Sequence, residues 1–353
     1  MTAGIPCMLM RGGSSKGAYF LARDLPADAG ERDDLLLRIM GSPDTRQIDG
    51  IGGGHPLTSK VAVVSASTDS AADVDYLFLQ VVPDQALVTD AQTCGNLLAG
   101  VGPFAIERGL VAANGDTTTV RIRIMNPNVA FAEETVQTPG GEVSYDGDTV
   151  MAGTPFPAGP ITITFPGADN SVFPTGRLRE TLAGVEVTCV DAGMPVVLIR
   201  AGDLGLTGNE DPAQLEADDA LRSCVEAIRL EAGPPMGLGD VSETTVPKIS
   251  IVSPAQHGGT VTTRTFIPHR VHAAIGVLGA VSVAAGVRAA GTVATVDGQG
   301  PKVAIEHPTG TLTVELELDG TGPTTLVHRS AVIRTARKLF DGQVWPRPGK
   351  ASL

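Results

Sequence analysis

The sequence predicts an α+β protein of two similar halves, each a curved sheet wrapped round one buried helix. Three observations carry that expectation. Short β-branched or alternating runs bounded by Gly, Pro, Asn and Asp far outnumber helical patterns. Two helical segments are apolar on every side, and a helix without a polar face has to be buried all round. These two segments start about half the chain apart, one after Cys94 and one after His272.

Taken in order, an apolar strand spans Ile5–Met10 and a helix spans Asp33–Met40. Strands are then expected at Lys60–Val64, Val74–Val82 and Thr118–Met125. The first apolar helix lies between the last two of these, with Gln92 and Thr93 able to cap it, Leu97–Ile106 as its body and Gly109 as its stop. Further strands are expected at Ile161–Phe165, Val185–Val190 and Val196–Arg200. A helix over Pro212–Ala232 has Asp211 as N-cap, Pro212 at its first position and Gly233 at its end. Strands at Lys248–Val252 and Thr260–Phe266 lead to the second apolar helix, Ala273–Val287, and strands at Val303–Ile305 and Thr311–Leu318 follow. At 353 residues the chain is long enough for two domains. The softest boundary is near Pro174–Gly184. It divides the chain into 1–182 and 183–330, with the C-terminal segment, about 331–353, expected to return a last strand to the first domain.

Composition bounds the function. A hydrophobic share of 42% with 18% charged residues describes a compact, turn-rich chain that is not disordered. A net charge of −13 disfavours nucleic acid and anionic membrane surfaces as partners. It also requires any anionic substrate to meet locally clustered cations. Cys7, Cys94, Cys189 and Cys224 lie far apart and form no metal-ligand spacing with histidine. They read as reduced thiols of a cytoplasmic protein. Residues Met1–Pro6 lack a basic stretch followed by an apolar core, so no signal peptide is expected. Ala273–Val287 is too short to span a bilayer. No Rossmann, P-loop, kinase or Ser-His-Asp signature is present, so no cofactor and no metal are expected.

Four stretches can carry chemistry. Cys94-Gly95-Asn96 puts a thiol at the mouth of a buried helix, where free backbone N–H groups and a partial positive charge suit an acid/base thiol or a carboxylate grip. Arg11-Gly12-Gly13-Ser14-Ser15-Lys16-Gly17 offers cations, hydroxyls and glycines that let backbone N–H groups approach an anion, or else forms a plain hairpin turn. Lys60 closes the glycine-rich loop from Asp49 and opens an apolar strand, where desolvation makes a lysine a candidate general base. Arg264, His269 and His272 gather positive charge just before the second buried helix, while Asp191-Ala192-Gly193-Met194-Pro195 is a tight turn or a cleft-lining edge.

Together these runs resemble the PrpF-like isomerases of the diaminopimelate epimerase superfamily. The matching runs are Met10–Gly17, Gln47–Gly53, Leu57–Lys60, Cys94–Asn96, Gly193–Pro195 and Arg264–His269, spread over nearly the whole chain. Met40–Asp44, Gly102–Ala105 and Leu339–Gly342 look most like the members that tautomerise 4-oxalomesaconate. The resemblance implies two pseudo-symmetric domains, each a β-barrel-like sheet round a central helix, with the active site between them. It also implies cofactor-independent proton transfer in a small unsaturated keto-polycarboxylate. Epimerases of the superfamily use two cysteines. This chain keeps Cys94 but has His272-Ala273-Ala274 at the second helix mouth. The PrpF-like group pairs its thiol with a lysine, which is Lys60 here. A further departure is Ser14, where a threonine is expected.

The catalytic pair implied is therefore Cys94 and Lys60. The groups holding the substrate would be Arg11, Ser14, Ser15, Lys16, Gly95, Asn96, Met194, Arg264, His269, His272 and Ala273. The expected partner is a small anionic polycarboxylate, with a homodimer left open as the assembly. Two alternatives stand beside the tautomerase: a cis–trans or double-bond isomerase of a neighbouring substrate, and a non-catalytic tricarboxylate-binding accessory protein.

Overall fold

A computed structural model describes residues 4–126, 130–167, 169–267, 270–298 and 300–349. The chain forms two compact units, Met1–Thr164 with Ile333–Leu353, and Phe165–Val332.

The first unit contains β1 (Ile5–Gly12), β2 (Ser15–Leu21), α1 (Ala29–Met40), β3 (Lys60–Ala66), β4 (Val74–Val81), β5 (Val88–Thr89), α2 (Gly95–Leu98), α3 (Val101–Glu107), β6 (Thr117–Ile124), β7 (Ala130–Gln137) and β8 (Pro160–Pro166). The second contains β9 (Glu180–Leu182), β10 (Val185–Asp191), β11 (Pro195–Arg200), α4 (Pro212–Ala217), α5 (Asp219–Ala232), β12 (Lys248–Pro254), β13 (Val261–Phe266), α6 (Val277–Arg288), β14 (Lys302–His307) and β15 (Gly310–Asp319). The last strand, β16 (Leu326–Val344), serves both: its first part pairs with β15 and its last part with β1.

In the first unit the order β1-β2-β3-β4-β6-β7-β8-β16 returns to β1, so eight strands close into a barrel. The barrel holds α2 and α3, whose Leu97, Leu98, Val101, Phe104 and Ala105 are buried. In the second unit β10, β11, β14 and β15 all pack against α6, so the sheet wraps round it. The pairing sequence is the same in both. β1–β2 is antiparallel, β2–β3 parallel, β3–β4 antiparallel and, after the central helices, β4–β6 parallel and β6–β7 antiparallel. β10–β11, β11–β12, β12–β13, β13–β14 and β14–β15 repeat that series round α6. The pseudo-symmetric α+β architecture read from the sequence is therefore present, and it is of the diaminopimelate epimerase type.

Several elements differ from expectation. The units divide at 164/165 and 332/333, and not at 182/183 and 330/331. Residues 165–182 join the second unit because Val172 hydrogen-bonds both Thr325 and Asp191 and because β9 pairs with β10. The first apolar helix is two helices broken at Ala99-Gly100. A Cβ on Gly100 would lie 2.5 Å from the Tyr19 hydroxyl, so the break makes room for that side chain. The Pro212–Ala232 helix is divided at Asp218, which leaves helical geometry and caps α5 by accepting from Leu221 N–H. The second apolar helix begins at Val277, four residues later than Ala273. Gly276 is its N-cap and supplies no side chain, so His272 does not sit at a helix mouth.

Candidate active site

In the first unit the thiol and its surroundings are built on α2. Cys94 is the N-cap, with extended backbone, and its Sγ accepts from Leu97 N–H at 3.5 Å. The side chain is partly exposed. Two buried tyrosines tie this short helix to the barrel: Tyr19 donates to Leu97 O at 2.5 Å and Tyr76 to Cys94 O at 3.3 Å. Each phenol adds a second donor to a carbonyl that already accepts a backbone N–H, Leu97 O from Gly100 and Cys94 O from Leu98. Burial and then the negative charge available at Cys94 push both phenols well above their ordinary range, so they act as fixed donors.

The stretch Arg11–Gly17 is a hairpin with Gly13-Ser14 at its tip, and Gly13 has the positive φ that such a turn requires. The tip packs on the start of α2. Asn96 Nδ2 donates to Ser14 Oγ at 3.2 Å, and a Cβ on Gly12 would meet Asn96 O at 2.6 Å. Here glycine is required for close approach. Arg11 lies on the other face of β1. One of its guanidinium nitrogens donates to Gly13 O, Thr335 O and Thr335 Oγ1, which braces the turn. Ser15 is buried and its hydroxyl has no partner among the described residues. Lys16 Nζ comes close to Gly53 in the glycine-rich loop.

Lys60 opens β3 and is only 7% exposed. Gly17 is its parallel partner and lies between the Lys60 carbonyl and Leu97, so β2 joins the lysine strand to the thiol helix at this point. The Lys60 ammonium donates to Gln80 Oε1 at 2.9 Å and lies 4.9 Å from the Phe78 ring centre. Gln80 is itself held, because its Nε2 donates to the carbonyls of Pro56 and Ser59 at 3.1 and 2.8 Å. Gln47 organises the loop before it, donating to Ser42 Oγ and Ser59 Oγ and accepting from Gly54 N–H. Gln80, Tyr19 and Tyr76 escaped sequence reasoning, since a neutral amide or a tyrosine inside an apolar strand reads as core.

In the second unit Arg264, on β13, is 8% exposed; Nε donates to Glu210 O at 2.7 Å and NH1 to Thr263 O at 2.9 Å. Burial lowers its guanidinium's proton affinity, and the charges of Glu210 and Asp211 raise it. His272 is half-buried. Its Nδ1 accepts from Ala274 N–H at 2.9 Å, so the ring is held neutral with its proton on Nε2. Burial, with Lys248 nearby, lowers its pKa further. His272 therefore does not add the positive charge expected of it, and Lys248 is the cation beside it. Ala273 lies in the turn between them and α6. The Asp191–Pro195 turn is fixed to α6: Ser282 Oγ donates to Met194 O at 2.6 Å and accepts from Ala192 N–H at 3.0 Å. Burial raises the Asp191 carboxyl. His269 lies outside the described residues. Among the described residues no group of three or more His, Cys, Asp or Glu side chains could hold a metal ion, and no helix is long and apolar enough to cross a membrane.

A model of the PrpF protein family matches residues 2–347. The chain belongs to the PrpF family. It is 55% identical over 350 residues to a 4-oxalomesaconate tautomerase of Pseudomonas putida, covering 96% of this chain and 95% of the relative. It is 54% identical over 349 residues to a (4E)-oxalomesaconate Delta-isomerase of Novosphingobium, covering 96% and 97%. Among solved structures, a methylitaconate-delta-isomerase superposes with a TM-score of 0.83 at 32% identity, covering 97% and 95%. A hydroxyproline epimerase of Agrobacterium vitis shares the fold at a TM-score of 0.55 and 16% identity, covering 96% and 92%.

Proposed function

We propose that this PrpF-family chain is a cofactor-independent isomerase whose substrate is 4-oxalomesaconate, converted between keto and enol forms in gallate and related aromatic-acid breakdown. The observation that supports the reading best is Lys60: a buried ammonium on a fixed amide, one strand from a helix that opens with a thiol. The α-keto group acidifies the adjacent carbon. One member of the Cys94–Lys60 pair takes the proton from that carbon, and the electron pair moves into the carbonyl as a dienolate. The other member returns a proton to oxygen or to the far carbon, so the net change is one proton shifted. Ser14, Ser15, Lys16 and the N–H groups of Gly95 and Asn96 hold carboxylate oxygens in the first unit, and fixed donors of this kind stabilise the dienolate. Arg11 shapes their turn. Arg264, His272, Met194 and Ala273 form the corresponding set on the second unit, with His269 beside them in sequence. Four unpaired cysteines fit a cytoplasmic setting.

A double-bond isomerisation is the second reading. The relative named for it is one percentage point less identical than the tautomerase, and both reactions use the same proton pair. Ultraviolet spectra on oxalomesaconate, 2-methylaconitate and aconitate decide. A catalytic change in the chromophore of oxalomesaconate, with product identified by NMR as enol or shifted alkene, is expected. Turnover only of 2-methylaconitate makes the chain a cis–trans isomerase, and binding without turnover of any of the three makes it a non-catalytic carboxylate carrier.

A further inference from the structure

Arg334 lies in β16 and is 7% exposed. Among the described residues its Nε has no hydrogen-bond partner, NH1 reaches only the neighbouring Ile333 carbonyl at 3.5 Å, and no carboxylate pairs with it. Burial alone holds its pKa down, to about 10. A buried cation without a counter-charge is costly, and such groups are ordinarily paired.

The register shows which way this cation faces. Ala336 pairs with Gly12, and Gly12 pairs with Ser15. Residues two apart on a strand share a face, so Arg334, Ala336, Gly12 and Ser15 are on one face. That face carries α2, because a Cβ on Gly12 would touch Asn96 O and Leu97 Cα. The opposite face carries Arg11 and Thr335, which hydrogen-bond each other. Two buried polar atoms that have no partner among the described residues, Arg334 Nε and Ser15 Oγ, therefore share the face and the barrel end where α2 opens with Cys94.

We propose that Arg334 and Ser15 are a carboxylate-binding pair of the first unit, receiving one carboxylate of the substrate. The proposal rests on the isomerase reading for the identity of the substrate, and on the two orphaned groups for the existence of the site. Arg334 supplies the charge and two N–H donors, and Ser15 supplies a hydroxyl from the neighbouring hairpin.

Propane-1,2,3-tricarboxylate, which has no double bond to isomerise, separates the two. It is titrated by calorimetry into the wild type, Arg334→Met, Arg334→Lys and Ser15→Ala. Thermal midpoints are taken with and without it, and oxalomesaconate turnover is followed in parallel. The wild type binds the probe and is stabilised by it. Arg334→Met binds on the order of tenfold more weakly or worse and gains no midpoint from the probe. Its ligand-free midpoint nevertheless equals or exceeds that of the wild type, because methionine removes an unpaired buried charge. Arg334→Lys recovers part of the binding, and Ser15→Ala loses a smaller part. Undiminished binding by Arg334→Met overturns the proposal. So does a lower ligand-free midpoint or a failure to fold, since the arginine would then be a structural element, and so does a wild type that ignores the probe. A wild type that binds the probe through Arg334 but turns over no substrate overturns the isomerase reading and leaves the carboxylate site standing.

Discussion

The two units follow one strand plan and place a lysine at the same point in it, yet the two lysines live differently. Lys60 opens β3, the strand parallel to β2, and Lys248 opens β12, the strand parallel to β11. Lys60 donates to a fixed side-chain amide and lies against an aromatic ring. Lys248 donates to the Thr245 carbonyl, faces the neutral His272 and Arg229, and is held by burial at a pKa of about 8. The cross-strand partner decides the difference. Gln80 stands opposite Lys60 on β4, whereas β13 ends at Phe266 opposite Ile249 and provides no such residue for Lys248. The helices differ in the same sense. The first opens with Cys94 as cap and the second with Gly276, which has no side chain to offer. The two units share a scaffold, and single side chains at equivalent places distinguish the one that carries the proposed proton-transfer pair.

The sharpest way to break this comparison is to exchange methionine for each lysine. Lys60→Met should lower kcat by about 10²- to 10⁴-fold, the range for a general acid/base, with an unchanged thermal midpoint. Lys248→Met should leave kcat within a few-fold. Equal losses in the two variants would place the chemistry equally on both units, and a rise in KM alone for Lys60→Met would make that lysine an anion clamp. Next in size is Cys94→Ser, which keeps a capping group on α2 and should cost roughly a hundredfold in kcat. Near-normal turnover of a folded Cys94→Ser would remove the thiol from the mechanism.

Gln80→Leu should have a smaller effect. The Lys60 ammonium loses its acceptor, at a stability cost of about 1–3 kcal/mol. Turnover should fall while one limb of the kcat–pH profile moves, and Gln80→Glu should restore an acceptor and move that limb the opposite way. A profile that keeps its shape while only the midpoint falls would leave Gln80 a purely structural residue.

The mildest contrast is between two buried glutamates. In the second unit Glu306 accepts from the N–H groups of Gln256, His257 and Gly259 and from Thr262, which pulls its carboxyl down to about 2. In the first unit burial pushes Glu134 well above the carboxylate range, and its bond from Gly102 N–H opposes this only in part. The signs are opposite. Glu306 stabilises above the ordinary carboxyl range, and its contribution is lost as pH falls from about 4.5 toward 2. Glu134 disfavours the fold once pH rises above its unfolded value. Urea melts across pH should therefore find Glu306→Gln destabilised at pH 7 but not near pH 2, and Glu134→Gln as stable as the wild type or more so at pH 7. The reverse pattern would refute both assignments.

Much of the scaffold was legible because it is written in periodicity. Alternating and β-branched runs marked most strands within a residue or two, and all-apolar stretches marked the central helices. What escaped was set by partners far away in sequence. The C-terminal segment was expected to return a strand to the first domain, but that this strand starts at Leu326 and first pairs with β15 was set by a partner outside it. β7 holds Glu133 and Glu134, and the second faces α3, where it accepts from Gly102 N–H. The break at Ala99-Gly100 answers Tyr19, which is some eighty residues away. One missed boundary did have a local signal: Asp218 precedes Asp219 and suits an N-cap, which divides α4 from α5. Around the site, Cys94 and Lys60 stood out by their apolar surroundings. Gln80 and Arg334 did not, since neither composition nor spacing tells which buried polar group lacks a mate.

The pairing of Ile5–Gly12 with 336–344 also has a consequence for biosynthesis. A ribosome delivers the chain from its N-terminus, so β1 leaves the exit tunnel with β2 close behind but long before β16, its other neighbour, exists. The first barrel cannot close until the last strand has been translated, and its closing contact is among the longest the chain can make. Residues 165–332 contain nearly all of their own partners and can fold while synthesis continues. The unit that begins first is therefore finished last, and until then β1 offers an unsatisfied strand edge of the kind that chaperones shield.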